Sequence, residues 1–445
     1  MYKHLLCSRY LTTRYIALFS VVSVMLGVTT MIVVNSVMGG FRQRMLERLH
    51  GILSDVIVES TTMDGFRHPD EIMSRINAAV GDKIEAMTPA IEVFGMLHFQ
   101  NNGLGQTFTR PVRLVGVDPK GRAAVGEFGD HLLNADNSKD PSFELRADGK
   151  EWREKNADLF DPKFGVPKAG SIIGYQIATF RGSNMFEDQF LIRPGQEVVI
   201  TTVTAGRKPE PVSDRLVVVD HFRSDMSEYD SNYVFMPLKE LQERRRMGDA
   251  VTAIQIKLKD EADSPAVVGA LRAALPPTFF HVQTWEDKQG PLLQAVKVEA
   301  AILNIILFFI IAVAGFGILA IFYMIVYEKT RDIGILKALG ASNVGVMNIF
   351  LGYGFILGLV GSVFGVILGV SITLNINEIE ETIYKWTGLE LFPPDIYYFK
   401  EIPAQLDPMT VVWIVAGALF IAAAASVLPA IRASKLRPVE ALRYE

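Results

Sequence analysis

YIALFSVVSVMLGVTTMIVVNSVMGGF, residues 15–41, holds no charged side chain, and neither does AAILNIILFFIIAVAGFGILAIFYMIVY, residues 300–327. Two further uncharged stretches run from Ala338 to Asn377 and from Pro408 to Ile431. Each exceeds the ~20 residues that a helix needs to cross the hydrocarbon core of a bilayer. Their spacing decides the architecture. One span lies near the N-terminal end, a long polar stretch follows, and three spans crowd the last third. The expected fold is an α-helical membrane domain of four transmembrane helices with a large extracytoplasmic α+β domain between helices 1 and 2.

The 445 residues are 49% hydrophobic, a share raised by the four spans, and carry a formal net charge of -5. That balance, without a basic stripe, argues against nucleic acid as a partner. The single cysteine, Cys7, excludes an intrachain disulfide. Leu5-Leu6-Cys7-Ser8 faintly resembles a lipidation site, but no apolar run precedes it, so a plain thiol is the better reading. The first span is too long for a cleaved signal peptide and reads as an uncleaved anchor.

Lysine and arginine in short segments orient the spans. Lys3, Arg9 and Arg14 precede the first span, Lys329, Arg331 and Lys337 lie between the second and third, and Arg432, Lys435, Arg437 and Arg443 follow the fourth. The segment between spans three and four is acidic instead, with Glu378, Glu380, Glu381, Glu390, Asp395, Glu401 and Asp407 against Lys385 and Lys400. Both termini and the turn after span two are therefore expected in the cytoplasm. Arg42, Arg44 and Arg48 point the other way, but long translocated domains escape the rule. They read as part of a short amphipathic helix with Phe41, Met45 and Leu49 on one face.

Between the first two spans, strand-like runs rich in β-branched residues occupy 55–59, 112–117, 197–203, 215–221, 233–236 and 251–258. Helical patterns occupy 69–80, 237–247 and 264–275, the first two opening on a proline at a favourable first-turn position. The stretch from Asp118 to Lys168 is rich in Asp, Asn, Lys and Gly, and reads as an insertion of loops and short helices whose role is surface decoration.

In the third span Gly354 and Gly358, then Gly361, Gly365 and Gly369, recur at four-residue spacing. Such a row lets another helix approach closely where lipid gives no hydrophobic push. It serves a bundle within one chain or a seam between two. No span bears an internal carboxylate, lysine or arginine, groups that ion-coupled transporters place at mid-depth. Asn35, Asn304 and Asn348 are the strongest polar residues there and are expected to bond neighbouring helices.

No G-x-x-x-x-G-K-[ST] loop, H-E-x-x-H, G-x-S-x-G or metal-spaced Cys/His pair occurs, so no catalytic or metal residues are assigned. The turn after span two is the more telling segment. Thr330 can cap a short helix, Asp332 and Lys337 complement its two ends, and Gly340 can terminate it in the left-handed conformation. Ile333, Leu336 and Leu339 then share a face, suited to lipid or to a groove on a cytoplasmic partner.

This segment, EKTRDIGILKALGAS, followed by a glycine-rich span, resembles the signature of FtsX-like permeases of ABC transporters. SRYLTTRYIALFSVVSVMLGVTTMIVVNSVMGGF, VRLVGVDP, SIIGYQIA, VVVDHF…SEYDSNYVFMPL and VEAAILNIILFFIIAVAGFGILAIFYMIVYEK further resemble the lipoprotein-releasing branch, the LolC and LolE type. The insert and the stretch Arg181–Asp188 depart from that pattern. The resemblance implies a permease subunit, not an enzyme, that binds no cofactor itself. ATP and Mg would sit on a separate cytoplasmic ATPase, and the chain would pair with a second permease, identical or homologous. Lipoproteins would leave the outer leaflet of the inner membrane for a periplasmic lipoprotein chaperone.

On this reading residues 1–14 form a cytoplasmic tail, 15–41 helix 1, 42–299 the periplasmic domain, 300–327 helix 2, 328–342 a cytoplasmic coupling helix, 344–374 helix 3, 375–409 a periplasmic loop, 410–431 helix 4 and 432–445 a cytoplasmic tail. ATPase coupling would fall to Glu328, Lys329, Thr330, Arg331, Asp332, Ile333, Leu336, Lys337, Leu339 and Gly340. A lipid-accepting cavity would be lined by Val34, Val37, Met38 and Phe41 with Leu303, Ile306 and Leu307. Two other functions stay open: export of a peptide or drug from the periplasm, and regulation of a periplasmic cell-wall hydrolase.

Overall fold

The computed structural model describes residues 15–101, 106–157, 160, 167, 169–180, 189–388 and 401–439. The expected tail charges Lys3, Arg9, Arg14 and Arg443, the thiol of Cys7, the stretch Arg181–Asp188, and Glu390, Asp395 and Lys400 lie outside these. The chain divides into two compact units, one formed by Met1–Arg44 with Gln294–Glu445 and the other by Met45–Leu293.

Six helices carry the first unit: α1 (Tyr15–Ile52), α2 (Gly290–Glu328), α3 (Thr330–Ala338), α4 (Asn343–Leu374), α5 (Ile376–Thr387) and α6 (Pro408–Lys435). Four of them, α1, α2, α4 and α6, are long and apolar enough to cross a membrane. Several boundaries differ from the sequence expectation, and α6 runs past Ile431 to take in Arg432 and Lys435. Helix α1 runs on past Phe41 to Ile52, so Arg42, Arg44 and Arg48 belong to its continuation and not to a separate short helix. Backbone hydrogen bonding needs no pause where side chains turn polar, because each added residue contributes one bond at little cost. Helix α2 likewise starts ten residues before Ala300, and the expected loop at 375–409 contains α5.

The glycine row of α4 is consumed inside the chain. A Cβ on Gly354 or Gly358 would meet Ser426 or Ala422 of α6, and one on Gly361, Gly365 or Gly369 would meet Val24, Val28 or Ile32 of α1. One helix thus uses two stretches of small residues to seat two neighbours. At Gly365 the new Cβ would stand 2.9 Å from the backbone oxygen of Met25, which cannot give way, whereas nothing lies within 4 Å at Gly352. Gly365→Ala is expected to destabilise the bundle by about 1–3 kcal/mol through overpacking. Gly352→Ala should be neutral or stabilise by up to about 1 kcal/mol through helix propensity. Thermal unfolding of the two variants in micelles measures this difference in sign.

The second unit is organised by a nine-stranded sheet, in the order β11-β1-β10-β2-β3-β9-β4-β8-β7. The strands are β1 (Val56–Ser60), β2 (Ile84–Asn101), β3 (Gln106–Val117), β4 (Gly170–Gly174), β7 (Glu197–Val203), β8 (Pro211–Phe222), β9 (Tyr233–Pro237), β10 (Ala253–Leu258) and β11 (Phe280–Thr284); β5 (Thr179–Phe180) and β6 (Gln189–Phe190) pair separately. Most pairings are antiparallel, but β3–β9 and β4–β8 are parallel. Strand β2 pairs with β10 through Ile84–Ala90 and with β7 through Met96–His98. The strands from β2 round to β7 therefore close into a ring, which removes two exposed edges. Ile91, Leu97, Leu114, Ile173, Ile200, Leu216, Val218 and Val234 fill its interior. Helices Pro69–Val80 and Ser264–Ala274 supply Ile72, Ile76, Val267 and Leu271 to a second core against β1, β10 and β11.

The insert after Asp118 is not surface decoration. Arg122 is buried and donates to Gln255 Oε1 at 2.9 Å and to the carbonyl of Ile52. Phe128 stacks on Phe222 and meets Phe235 edge-on, while buried Asn137 donates to Asp220 Oδ2. Its polar composition concealed a handful of anchors. Pro237 also departs from expectation: it closes β9 and serves as the N-cap of Leu238–Arg245.

Candidate functional site

Two places in the membrane unit carry the expected functional residues. The first is a cavity of about 260 Å³ between α1, α2 and the start of α6. Val34, Met38 and Phe41 reach it from α1, and Leu303 and Leu307 from α2. Val37 and Ile306 do not line it, and Ile306 is half-exposed elsewhere on α2. Helical geometry explains the split, because residues one position apart point 100° away from each other.

The third wall was missed from sequence. It comes from Gln405, Asp407, Thr410, Val411 and Ile414. Asp407 is the N-cap of α6, accepting from the backbone N–H groups of Met409 and Thr410 at 3.1 Å and from the Thr410 hydroxyl at 2.6 Å. Those bonds, the Thr410 hydroxyl first, hold its carboxyl below the usual range. The Asp407-Pro408 pair was the available signal, an N-cap followed by proline at the first helical position. Just upstream, Gln405 N donates to the Ser36 carbonyl at 2.9 Å. A Cβ on Gly40 would overlap the backbone of Pro403, so the segment 401–407 crosses α1 where only glycine fits.

The cavity mixes apolar and polar lining, with Asn35 and buried Ser36 beside the aliphatic side chains and with Arg42, Glu299 and Asp407 exposed. Asn304 also lines it. None of the three span asparagines bonds a neighbouring helix among the described residues: Asn35 donates to Met31 on its own helix, and Asn304 and Asn348 are exposed.

The second place is the turn around α3. Lys329 pairs with Asp332 at 2.8 Å. Thr330 is the first residue of α3 and does not cap it; its hydroxyl donates back to Val326 and Tyr327, closing the end of α2. The far end is a Schellman motif. Ala341 N donates to Leu336 O, Gly340 N to Lys337 O, and Gly340 takes φ 94°. Lys337 does more than complement the helix end, since its ammonium donates to the carbonyls of Ser434 at 2.7 Å and Leu436 at 2.6 Å, at the end of α6.

The expected apolar face of α3 is divided. Ile333 is 2% exposed and packs with Val346, Ala430 and Ala433, whereas Leu339 is 81% exposed and Leu336 lies between. Ile335, not singled out from sequence, is 44% exposed beside Leu339. Glu328 and Arg331 are exposed as well. The turn is thus fastened on one side and offers an apolar pair with flanking charges on the other.

The FtsX-like permease C-terminal family model matches residues 304–438, and that of the MacB-like periplasmic core domain matches residues 17–274. The chain belongs to the FtsX-like permeases built on a MacB-like core. Among relatives of this permease, the lipoprotein-releasing system transmembrane protein LolC of Xylella fastidiosa (strain Temecula1) is 26% identical over 97% of the chain and 94% of its own length. LolC of Neisseria meningitidis serogroup B is 27% identical over 97% of the chain and 94% of its own length. LolE of Haemophilus influenzae is 24% identical over 96% of the chain and 94% of its own length. The FtsX-like match covers the turn around α3 and begins at Asn304, so both places lie at least partly within it.

Proposed function

We propose that this permease is a subunit of an ABC transporter that releases lipoproteins from the outer leaflet of the inner membrane toward a periplasmic carrier. The observation that carries the reading is likeness to LolC and LolE proteins along nearly the whole chain. The sequence contains no P-loop, so ATP and Mg would be held by a separate cytoplasmic subunit docked at Ile335 and Leu339. A second permease, identical or homologous, would complete the membrane part. On this reading, which the basic segments support, both termini and α3 would lie in the cytoplasm and the nine-stranded domain in the periplasm.

A lipid anchor supplies the physical reason for the cavity. Each methylene taken from apolar surroundings into water costs about 0.8 kcal/mol, on the order of 12 kcal/mol for a sixteen-carbon chain. Lifting such an anchor requires an apolar shelter at the leaflet, and Val34, Met38, Phe41, Leu303 and Leu307 provide one. A photo-crosslinking residue at Met38 or Leu303 should capture lipoprotein in cells, and one at Val251, buried in the sheet domain, should not. Labelling of a soluble peptide or drug instead of lipoprotein would transfer the assignment to an exporter.

A further inference from the structure

Helix α5 has no place in the function proposed above. It begins at Ile376, one residue past Asn375 and two past the last residue of α4, so its first turn stands where a membrane span ends. With twelve residues it is too short to cross a bilayer. Gly388, at φ 68°, ends it. Its residues sort by face. Ile376, Ile379, Ile383 and Trp386 recur at i, i+3, i+7 and i+10, while Glu378, Glu381 and Lys385 occupy the opposite side, the last two paired at 2.8 Å. Glu380 borders the apolar side.

None of these residues is buried. Trp386 is 88% exposed, and Tyr384 and Ile379 are more than a third exposed. An apolar stripe so open to solvent needs a cover. We infer that α5 lies on the membrane surface, with the Ile379–Ile383–Trp386 face among the lipid chains and the Glu378–Glu381–Lys385 face in water.

Continuity chooses lipid over a protein partner. The stripe starts two residues past the end of α4, one of the membrane-length apolar helices, and Trp386 is of the type that settles at the headgroup boundary. Three glutamates against one lysine give α5 no attraction to anionic lipid, so burial of the stripe holds it there. The docking also has a mechanical outcome. Asn377 accepts from Ile402 N at 2.8 Å, and the same 401–407 segment binds Ser36 through Gln405 and ends in the cavity wall at Asp407. A helix resting on the leaflet therefore steadies the segment that crosses the cavity mouth.

The test uses the full chain with Cys7→Ser, reconstituted in phosphatidylcholine nanodiscs and spin-labelled at Ile379→Cys, Ile383→Cys, Glu381→Cys or Lys385→Cys. Oxygen partitions into lipid and a nickel chelate into water, so power saturation reads depth. Labels at 379 and 383 should be open to oxygen and shielded from nickel, and labels at 381 and 385 the reverse. Exposure of 379 and 383 to nickel would place α5 in water. Shielding of both from both reagents would mean a protein cover, and either result overturns the inference.

Discussion

Replacing Ile335 and Leu339 together with Asp is expected to abolish co-purification of the ATPase while the four spans stay inserted and the sheet domain stays folded. Both side chains are exposed, Ile335 on α3 and Leu339, at 81%, as its C-cap, so the permease itself does not depend on them. A docking groove does: each apolar side chain it covers contributes about 1.5–3 kcal/mol, and a carboxylate in its place must also be desolvated. The choice of residues follows from the structure. Leu336 is partly buried and shares the Schellman turn, so Leu336→Asp would confuse lost docking with lost folding. Full retention of the ATPase by the double variant would remove α3 as the docking element.

The second large effect is expected at the cavity. Met38→Asp combined with Leu303→Asp should lower lipoprotein release from proteoliposomes by about two orders of magnitude, with the ATPase still bound. Both positions line the cavity and neither is fully buried, so the fold should survive. Two carboxylates facing an acyl chain replace contacts of several methylenes, a loss of about 3 kcal/mol, which is roughly a hundredfold in affinity. Unchanged release would detach this cavity from the lipid anchor, whatever the family of the chain.

The sequence made the spans legible because one property, uncharged length, defines them. It was weaker where two demands met in one segment. Pro89 and Gly95 lie inside β2, and both argue against a central strand. Pro89 is tolerated because it pairs only with Ile254 of β10, ahead of the β3 pairing that starts at Ala90, and Gly95 because it lies where β2 exchanges β10 for β7, a long-range event that no local pattern records. The anchors of the insert, Arg122 and Phe128, were hidden for a similar reason, since their partners Gln255 and Phe222 are about a hundred residues away in sequence. At the cavity, five of the seven named residues converge, while the wall from Gln405 to Ile414 lay beyond a reading restricted to the first two spans. The charge network of the sheet domain was invisible as well. Burial pushes the Glu92 carboxyl up, but Lys288 and Arg113 outweigh it and hold it below its usual range. Arg113 comes from the neighbouring strand β3, but Lys288 lies almost 200 positions beyond Glu92.

Helix α6 touches both working places, with Thr410, Val411 and Ile414 at the cavity and Ser434 beneath Lys337. Its 28 residues make a rod of about 42 Å. Pro429 sits near the Lys337 end, where the missing amide removes one rung of the helical ladder. Lever mechanics follow. Under the function proposed above, the last turn and α3 would act as the handle, the stretch before Pro429 as the shaft, and the proline as the joint between them. Stiffening that joint with alanine would alter how much of a stroke reaches the far end without touching either grip.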